Sequence, residues 1–324
     1  LLSEIYCNIK LLLYVSIIMV LEKMEVKKVV PSGYCKGVIN AINIVKQAIK
    51  DYPDKQIYIL GMLVHNRYVV GGFELRNVIT LSDKEKSKEQ LLDEIKEGVV
   101  VFTAHGIDPK IKQKALEKGL TVVDATCSDV TKNANLCLEY LSKGYDVAYI
   151  GKRNHPESEA VLALDDRIHL ITSTTDVETS NILNKNVLIT NQTTMSINDI
   201  ETIITALLDK YPQAQVVEEI CNATRTRQQA VKELQGFDAL IVVGDPNSNN
   251  TTQLANIGRQ AKIKNIYKIE NSLELEAINL DNISKVAVTS GASTPNYLTQ
   301  QVINYLKTRD EQYLKVDLER ILDL

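Results

Sequence analysis

Five cysteines in the 324-residue chain are the residues whose type and spacing most directly suggest chemistry. Three of them, Cys35, Cys127 and Cys221, recur at nearly equal intervals, and each stands between a strand-like valine pair and a helix-like stretch. The backbone N–H groups at a helix N-terminus favour a thiolate over a thiol. We therefore expect three reactive or metal-binding thiolates at equivalent positions, each after a buried strand.

The other two cysteines, Cys7 and Cys137, lie off this pattern, and we interpret both as ordinary residues. Cys7 falls in residues 1–23, an apolar leader that we expect to lie outside the fold, with the natural start at Met19 or Met24. An odd number of widely spaced cysteines without a CxxC pair argues against a disulfide framework. We therefore expect reduced thiols and a cytoplasmic protein.

Two further series of polar residues repeat together with the cysteines. In the first series a polar residue lies four positions after a glycine that ends an apolar strand, and its members are His65, His155 and Ser248. In the second series the polar residues follow a strand that ends in threonine, and its members are His105, Thr193 with Thr194, and Ser293. Each third of the chain therefore offers a cysteine and two other polar positions.

Strands that alternate with helices must position these residues, and they predict parallel sheets with ligand sites beyond the carboxyl ends of the strands. We expect an α/β fold of three similar lobes, formed by residues 24–118, 119–213 and 214–307. If the lobes surround a pseudo-threefold axis, the three thiolates meet at its centre. The alternative is three independent Rossmann-like units with buried cysteines, but the registered polar series favour one shared site.

Two charged segments complete the expected architecture. Residues Ser82–Gly98 predict a solvated amphipathic helix. The tail, residues 308–324, predicts an extra amphipathic segment that either closes over a neighbouring element or is mobile.

Three converging thiolates could hold zinc together with a histidine, or three irons of a 4Fe–4S cluster. A structural zinc site normally uses closely spaced ligand pairs, which are absent here, whereas a cluster with three cysteine ligands leaves one iron open for reductive chemistry. Two alternatives stay open from the residues alone: a cysteine-ligated zinc hydrolase and a non-catalytic phosphate-binding α/β protein. The fingerprints GxGxxG and GxxxxGK[ST], which would support nucleotide binding, do not occur.

The overall charge limits the partners that we expect. There are 37 basic and 41 acidic residues, for a formal net charge of -4. Without a broad basic field, we expect no nucleic-acid partner, and an anionic ligand must be bound by local donors.

The apolar run at residues 11–21 is shorter than the roughly 20 residues that a membrane span requires, so we expect no membrane partner either.

Nine motifs in fixed order, spread from about Met24 to Lys307, resemble the 4-hydroxy-3-methylbut-2-enyl diphosphate reductase family of the non-mevalonate isoprenoid pathway. They read GYCKGV, VHN, AHGI, DATC, HPE, TNQTT, EICNATRTRQ, VVGDPNSNN and TSGAS. The resemblance implies a three-lobed trefoil around one central 4Fe–4S cluster per chain, ligated by Cys35, Cys127 and Cys221. It also implies a ferredoxin or flavodoxin type electron donor.

The same resemblance implies the reaction and the residues that perform it. The allylic hydroxyl of (E)-4-hydroxy-3-methylbut-2-enyl diphosphate would bind the open iron and leave as water, giving isopentenyl and dimethylallyl diphosphate. Glu157 would be the proton source, with Thr193 as relay and His155 beside them. The implied substrate-binding residues are His65, His105, His155, Thr193, Ser248, Asn250 and Ser293. Asn249 stands where the family has a second serine, and its amide could still donate to a phosphate.

Overall fold

The three predicted sheets are present in the computed structural model, which describes residues 24–324. Cys7 and the predicted leader lie outside the described residues. Each sheet has four parallel strands, in the orders β3-β2-β4-β5, β7-β6-β8-β9 and β11-β10-β12-β1. The first comprises β2 (Ile57–Leu60), β3 (Val78–Leu81), β4 (Val99–Phe102) and β5 (Thr121–Asp124). The second comprises β6 (Asp146–Ile150), β7 (Ile168–Ile171), β8 (Val187–Asn191) and β9 (Gln215–Val216). The third comprises β10 (Ala239–Val243), β11 (Asn265–Ile269), β12 (Lys285–Ser290) and β1 (Glu25–Lys28).

Helices connect the strands and cover the sheets. They are α1 (Lys36–Asp51), α2 (Arg67–Glu74), α3 (Lys88–Asp93), α4 (Pro109–Glu117), α5 (Ser128–Ser142), α6 (Pro156–Leu162), α7 (Thr174–Thr179), α8 (Ile197–Lys210), α9 (Asn222–Lys232), α10 (Asn249–Gln260) and α11 (Asn296–Thr308). Short 3₁₀ helices span Ser272–Ala277, Glu311–Leu314 and Leu318–Leu322. Within residues 24–324, no helix combines the length and apolar character that a membrane crossing requires.

The central strands are apolar on both faces because both faces are covered. All four residues of β4 are buried, and they divide between two cores: Val101 packs into a core shared by the first and third lobes, whereas Val100 packs into a separate core of the first lobe. All five residues of β10 are likewise buried. The sheets therefore form a rigid base from which the loops at their carboxyl ends project.

The strands that precede the cysteines differ from the expectation. We predicted buried strands, but β1, β5 and β9 are edge strands whose residues are exposed or half-buried. Each of these strands pairs with a strand of one lobe, whereas the helix that follows it belongs to the next lobe. Strand β5 pairs with β4, β9 pairs with β8, and β1 pairs with β12. A division at residue 119 thus separates β5 from its hydrogen-bonded sheet, and the boundaries 24–118, 119–213 and 214–307 stay a prediction.

The charged segment Ser82–Gly98 is not one long helix. Helix α3 spans only six residues, starting after a capping box in which Ser87 and Gln90 satisfy each other's backbone N–H groups. Leu91, Leu92 and Ile95 are buried against the first sheet. The predicted amphipathic helix is therefore present, with its apolar face turned inward, but it covers only part of the segment because it begins at its cap.

The C-terminal tail closes over the first lobe. Ile321 and Leu322 are fully buried, and Leu322 packs against Gly72 of α2, where an added Cβ would lie 3.1 Å from its Cγ. The hydroxyl of Tyr34 donates to the carbonyl of Ile321 over 2.9 Å, and Lys46 donates to the carbonyl of Leu322 over 2.7 Å. The first of the two predicted alternatives for the tail is thus the one observed.

Candidate active site

The three cysteines of the repeat occupy the same structural position in each lobe. Cys35, Cys127 and Cys221 are the N-cap residues of α1, α5 and α9, and all three are half-buried and unpaired. They line one cavity of about 770 Å³. A Cβ atom at Gly37 would lie 2.5 Å from the Cys127 sulfur and 3.8 Å from the Cys35 sulfur. Sulfurs from two lobes therefore approach each other where a glycine leaves room.

The charge state of two of these thiols, Cys127 and Cys221, differs from the expectation. Burial raises the pKa of Cys127 to about 11, although the backbone N–H groups of Asp129 and Val130 lower it. Burial also raises the pKa of Cys221. The expected preference for the thiolate is thus wrong for Cys127 and Cys221 as isolated thiols, because burial outweighs the helix N-terminus. A bound metal centre supplies the positive charge that deprotonates such thiols.

The arrangement of the donors distinguishes the two predicted metal centres. Among residues 24–324, no three His, Cys, Asp or Glu side chains are grouped so that they could hold one metal ion, as the zinc alternative requires. In a cubane cluster each cysteine binds a different iron, so the three sulfurs need not converge on one ion. Three half-buried thiols around a shared cavity fit a cluster better than a single zinc ion.

Three histidines form a second group in the same cavity. The ring centroid of His65 lies 4.5 Å from that of His105 and 5.1 Å from that of His155, and the centroids of His105 and His155 are 5.7 Å apart. Burial lowers the pKa of all three rings, to about 3 for His155. They are therefore neutral donors at pH 7. The Nε2 atom of His65 is buried without a hydrogen-bond partner in the described part of the chain, as expected of a group that contacts a ligand.

Lys88 adds a positive charge that the sequence did not reveal. It is the first residue of α3, its side chain is 20% exposed, and its ammonium lies 3.9 Å from the carboxylate of Glu159. Its charge contributes to the lowered pKa of each of the three histidines. No motif singles out this lysine, because its position near the histidines depends on the packing of α3.

Glu157 and Thr193 form a buried pair on the second lobe. Glu157 lies in the first turn of α6, and Thr193 follows β8. The carboxylate accepts the Thr193 backbone N–H over 2.7 Å and the Thr193 hydroxyl over 2.9 Å. Burial raises the pKa of Glu157 to about 7, against the opposing effect of these two bonds. The pair can therefore hold or release a proton near neutral pH.

The third lobe contributes the polar residues at the start of α10. Ser248 is the N-cap residue and accepts the backbone N–H of Thr251 over 3.4 Å. The Asn249 amide donates across the lobe boundary to the carbonyl of Thr194 over 2.7 Å. The Asn250 amide donates to the hydroxyl of Thr224 over 3.1 Å. Asn249 thus links two lobes, and its contact with a diphosphate stays a prediction.

The cavity brings together all of the predicted site residues, which come from all three lobes. They are Cys35, His65, His105, Cys127, His155, Glu157, Thr193, Cys221, Ser248, Asn249, Asn250 and Ser293. Ser293 additionally donates to the backbone carbonyl of His65 over 3.0 Å and so ties the third lobe to the first. Cys137 is buried in the core of the second lobe, and His169 lies 3.6 Å from Asp146 on neighbouring strands. Neither lines the cavity, in line with the interpretation of Cys137 as an ordinary residue.

Arg227 is a buried residue near the cavity that sequence reasoning missed. It is buried in α9, and its guanidinium donates to the carbonyl of Gly33 over 2.8 Å and to that of Ala223 over 2.9 Å. The charges of Cys35 and Cys221 raise its pKa, although burial lowers it more. Its position in the motif EICNATRTRQ was the available signal. A buried cation beside two thiols is suited to stabilising negative charge at the centre of the molecule.

Each of the three parallel α/β lobes places one cysteine beside a single cavity, which neutral histidines also line. This fold and site are those expected of a protein with a central metal centre and an anionic ligand. The chain belongs to the family described as LytB protein, whose model matches residues 26–307. This finding confirms the family that the nine motifs resemble.

The relatives and solved structures agree with this family. The chain is 43% identical over 309 residues to the 4-hydroxy-3-methylbut-2-enyl diphosphate reductase of Geobacillus thermodenitrificans (strain NG80-2), covering 92% of this chain and 97% of the relative. It is 44% identical over 293 residues to the enzyme of that name from Exiguobacterium sp. (strain ATCC BAA-1283 / AT1b), covering 89% and 92%. The E-1-hydroxy-2-methyl-but-2-enyl-4-diphosphate reductase of Plasmodium falciparum superposes with a TM-score of 0.82 at 30% identity, over 90% of both chains. The predicted three-lobed fold is thereby confirmed.

Proposed function

We propose that this chain reduces (E)-4-hydroxy-3-methylbut-2-enyl diphosphate to isopentenyl and dimethylallyl diphosphate, the reaction that the names of its relatives indicate. The observation that carries the proposal is the position of Glu157. A buried carboxyl with a pKa of about 7 shares one cavity with a cysteine from each lobe and with three neutral histidines. Reductive loss of a hydroxyl from a diphosphate ester needs an acid, an electron source and an anion site together.

Cys35, Cys127 and Cys221 would hold one 4Fe–4S cluster. When bound, the cluster supplies single electrons and one iron without a protein ligand, which suits removal of a hydroxyl group. Two electrons and two protons per turnover balance the loss of one water. The electrons must come from outside the chain, and we propose a ferredoxin or flavodoxin type donor. We also propose a cytoplasmic location, where thiols stay reduced.

The diphosphate would be held by donors from all three lobes. The neutral imidazoles of His65, His105 and His155 can each donate one N–H to a phosphate oxygen. Ser248, Asn250 and Ser293 add hydroxyl and amide donors, and Lys88 contributes positive charge near the histidines. Such a set of local donors replaces the basic surface that an acidic protein lacks.

Glu157 would supply the proton through Thr193. The Thr193 hydroxyl lies 2.9 Å from the carboxyl oxygen. When Glu157 is protonated, its O–H can donate to the Thr193 oxygen, and the threonine proton then becomes available for the leaving oxygen. Since His155 accepts the backbone N–H of Glu157 through Nδ1 over 3.2 Å, its Nε2–H is free for the substrate. Glu157 would thus act as the acid, and His155 would bind the substrate.

The test is anaerobic reconstitution followed by an assay with the substrate and a chemical reductant. We expect about four irons per chain, as one cubane cluster requires, and formation of both isoprenoid diphosphates by mass spectrometry. A zinc hydrolase would instead release inorganic phosphate or diphosphate without a reductant. A phosphate-binding protein would bind diphosphate with no turnover. Either result would reject the proposal.

A further inference from the structure

The turn after the cysteine differs in one of the three lobes. The residue three positions after the cysteine is Val38 in the first lobe, Val130 in the second and Thr224 in the third, and all three are buried. The backbone is the same, because each cysteine is an N-cap residue and each of these positions lies in the first turn of the helix. The third lobe therefore carries a hydroxyl where the other two carry a methyl group.

This hydroxyl contacts the sulfur of a candidate cluster ligand. Thr224 Oγ1 lies 3.2 Å from Cys221 Sγ, within hydrogen-bond distance for sulfur. A metal-bound sulfur has no proton, so the hydroxyl must then be the donor of this bond. The Asn250 amide donates to the same oxygen over 3.1 Å. Because Asn250 occupies an acceptor position of the oxygen, the single hydroxyl proton is directed at the sulfur.

Asn250 also lines the cavity in which the diphosphate would bind. Its Oδ1 atom is buried and has no hydrogen-bond partner within residues 24–324. A diphosphate is mainly an acceptor of hydrogen bonds at neutral pH, so the amide nitrogen is the atom of Asn250 that would donate to it. A half-turn of the Asn250 carboxamide about its Cβ–Cγ bond exchanges the positions of its oxygen and its nitrogen. The NH₂ group would then donate to the phosphate, and Oδ1 would accept the Thr224 hydroxyl, which would leave the sulfur.

We propose that Asn250 and Thr224 form a hydrogen-bonded relay through which occupation of the diphosphate pocket changes the reduction potential of a cluster held by Cys221. The inference rests on the cluster assigned under the proposed function. A hydrogen bond to a ligand sulfur stabilises the added electron and raises the potential of the cluster. Withdrawal of the Thr224 bond on anion binding therefore lowers the potential and makes the reduced centre a stronger donor.

The test compares midpoint potentials of the reconstituted wild-type protein and Thr224→Val, with and without saturating inorganic diphosphate, by titration followed with electron paramagnetic resonance. The substitution installs the residue found at the other two turns. Without anion, we expect the equilibrium constant for one-electron reduction to be about tenfold lower in Thr224→Val than in the wild type, which corresponds to a midpoint potential about 59 mV lower. The anion's charge lowers the potential of both proteins, but the fall is larger in the wild type because only it contains the relay.

Two further variants separate this effect from general damage. Thr224→Ser keeps the hydroxyl and should have a potential close to the wild-type value. Thr251→Val removes another buried threonine hydroxyl, one without a partner in residues 24–324, and should leave the potential unchanged. Equal potentials for the wild type and Thr224→Val, or equal shifts with diphosphate, would overturn the relay. Failure of the proposed function would be visible earlier, as wild-type protein without cluster or turnover.

Discussion

At the scale of single residues, burial sets the pKa of the Glu157 carboxyl and thereby its suitability as a general acid. Its side chain is 1% exposed, and burial raises its pKa to about 7, even though Thr193 donates two hydrogen bonds to the carboxylate. A general acid is most effective when its pKa lies near the working pH. Because the folded pKa lies above the usual value, the protonated carboxyl stabilises the fold at low pH, and this contribution is lost as the pH rises through about 7.

Glu157→Gln tests the acid role. The carboxamide keeps an acceptor for Thr193 but has no acidic proton, so we expect turnover to fall by roughly 10²-fold or more. Iron content and affinity for inorganic diphosphate should stay at wild-type values. Turnover of the wild type should decrease as the pH rises through about 7, and the variant should lose this dependence. A variant with unchanged turnover and pH profile would reject the role.

Cys127 and Cys137 offer a matched pair of substitutions on one helix. Cys127→Ser removes a candidate cluster ligand, and we expect reconstituted protein to lose most of its iron. Cys137→Ser places a hydroxyl in the core of the second lobe, at a cost of roughly 1–3 kcal/mol in unfolding free energy, yet iron binding should persist. Iron per chain and urea denaturation measure the two effects. Full iron content in Cys127→Ser would contradict the assignment.

At the scale of elements, the sequence predicts what is local and misses what depends on packing. The apolar runs of β4 and β10 and the helices after each cysteine follow from local pattern and were predictable. The exposure of β5 was not, because its valines resemble those of a buried strand although it lies at a sheet edge. Edge position is decided by which segments pair across the chain.

The same distinction holds for the site. The cysteines and histidines were found because they repeat in register along the chain. Lys88, Thr224 and Arg227 were not, since their partners come from distant segments: Thr224 meets Asn250, and Arg227 meets the carbonyl of Gly33. A sequence repeat reveals residues at equivalent positions of the lobes, and Lys88, Thr224 and Arg227 do not belong to a repeated series.

The C-terminal 3₁₀ helix at Leu318–Leu322 is expected to contribute to stability. Ile321 is fully buried in the core shared by the first and third lobes, so Ile321→Ala should lower the free energy of unfolding by about 2–5 kcal/mol. Leu324 is 50% exposed, and Leu324→Ala is the control, with an expected change within about 0.5 kcal/mol. Urea denaturation followed by circular dichroism measures both. Equal stabilities would show that the tail is not part of the core.

At the scale of the whole molecule, the lobes are joined by exchanged strands. The edge strand before each cysteine belongs to one sheet, and the helix after it leads into the next lobe. Cys35, Cys127 and Cys221 therefore lie at the three crossings between lobes. A cluster bound to all three would cross-link the lobes at their centre, in addition to its chemical role.

Iron removal should therefore loosen the centre and leave the sheets intact. We expect chelation to increase amide hydrogen exchange in the first turns of α1, α5 and α9. The buried strands β4, β8 and β10 should keep their protection, because their hydrogen bonds lie within each sheet. Mass spectrometry of peptides from both states makes the comparison. Uniform loss of protection would instead indicate that the lobes do not fold without the cluster.

The pairing of β1 with β12 imposes an order on synthesis. Strand β1 has its partner about 260 residues later in the chain. At roughly 5–20 residues per second, the ribosome needs on the order of 13–50 s to deliver that partner. During this interval the segment before Cys35 has no sheet to join. The sheet that holds this segment is therefore completed only after β12 has been synthesised, so delivery of iron and sulfide to the complete three-cysteine centre should come after that point.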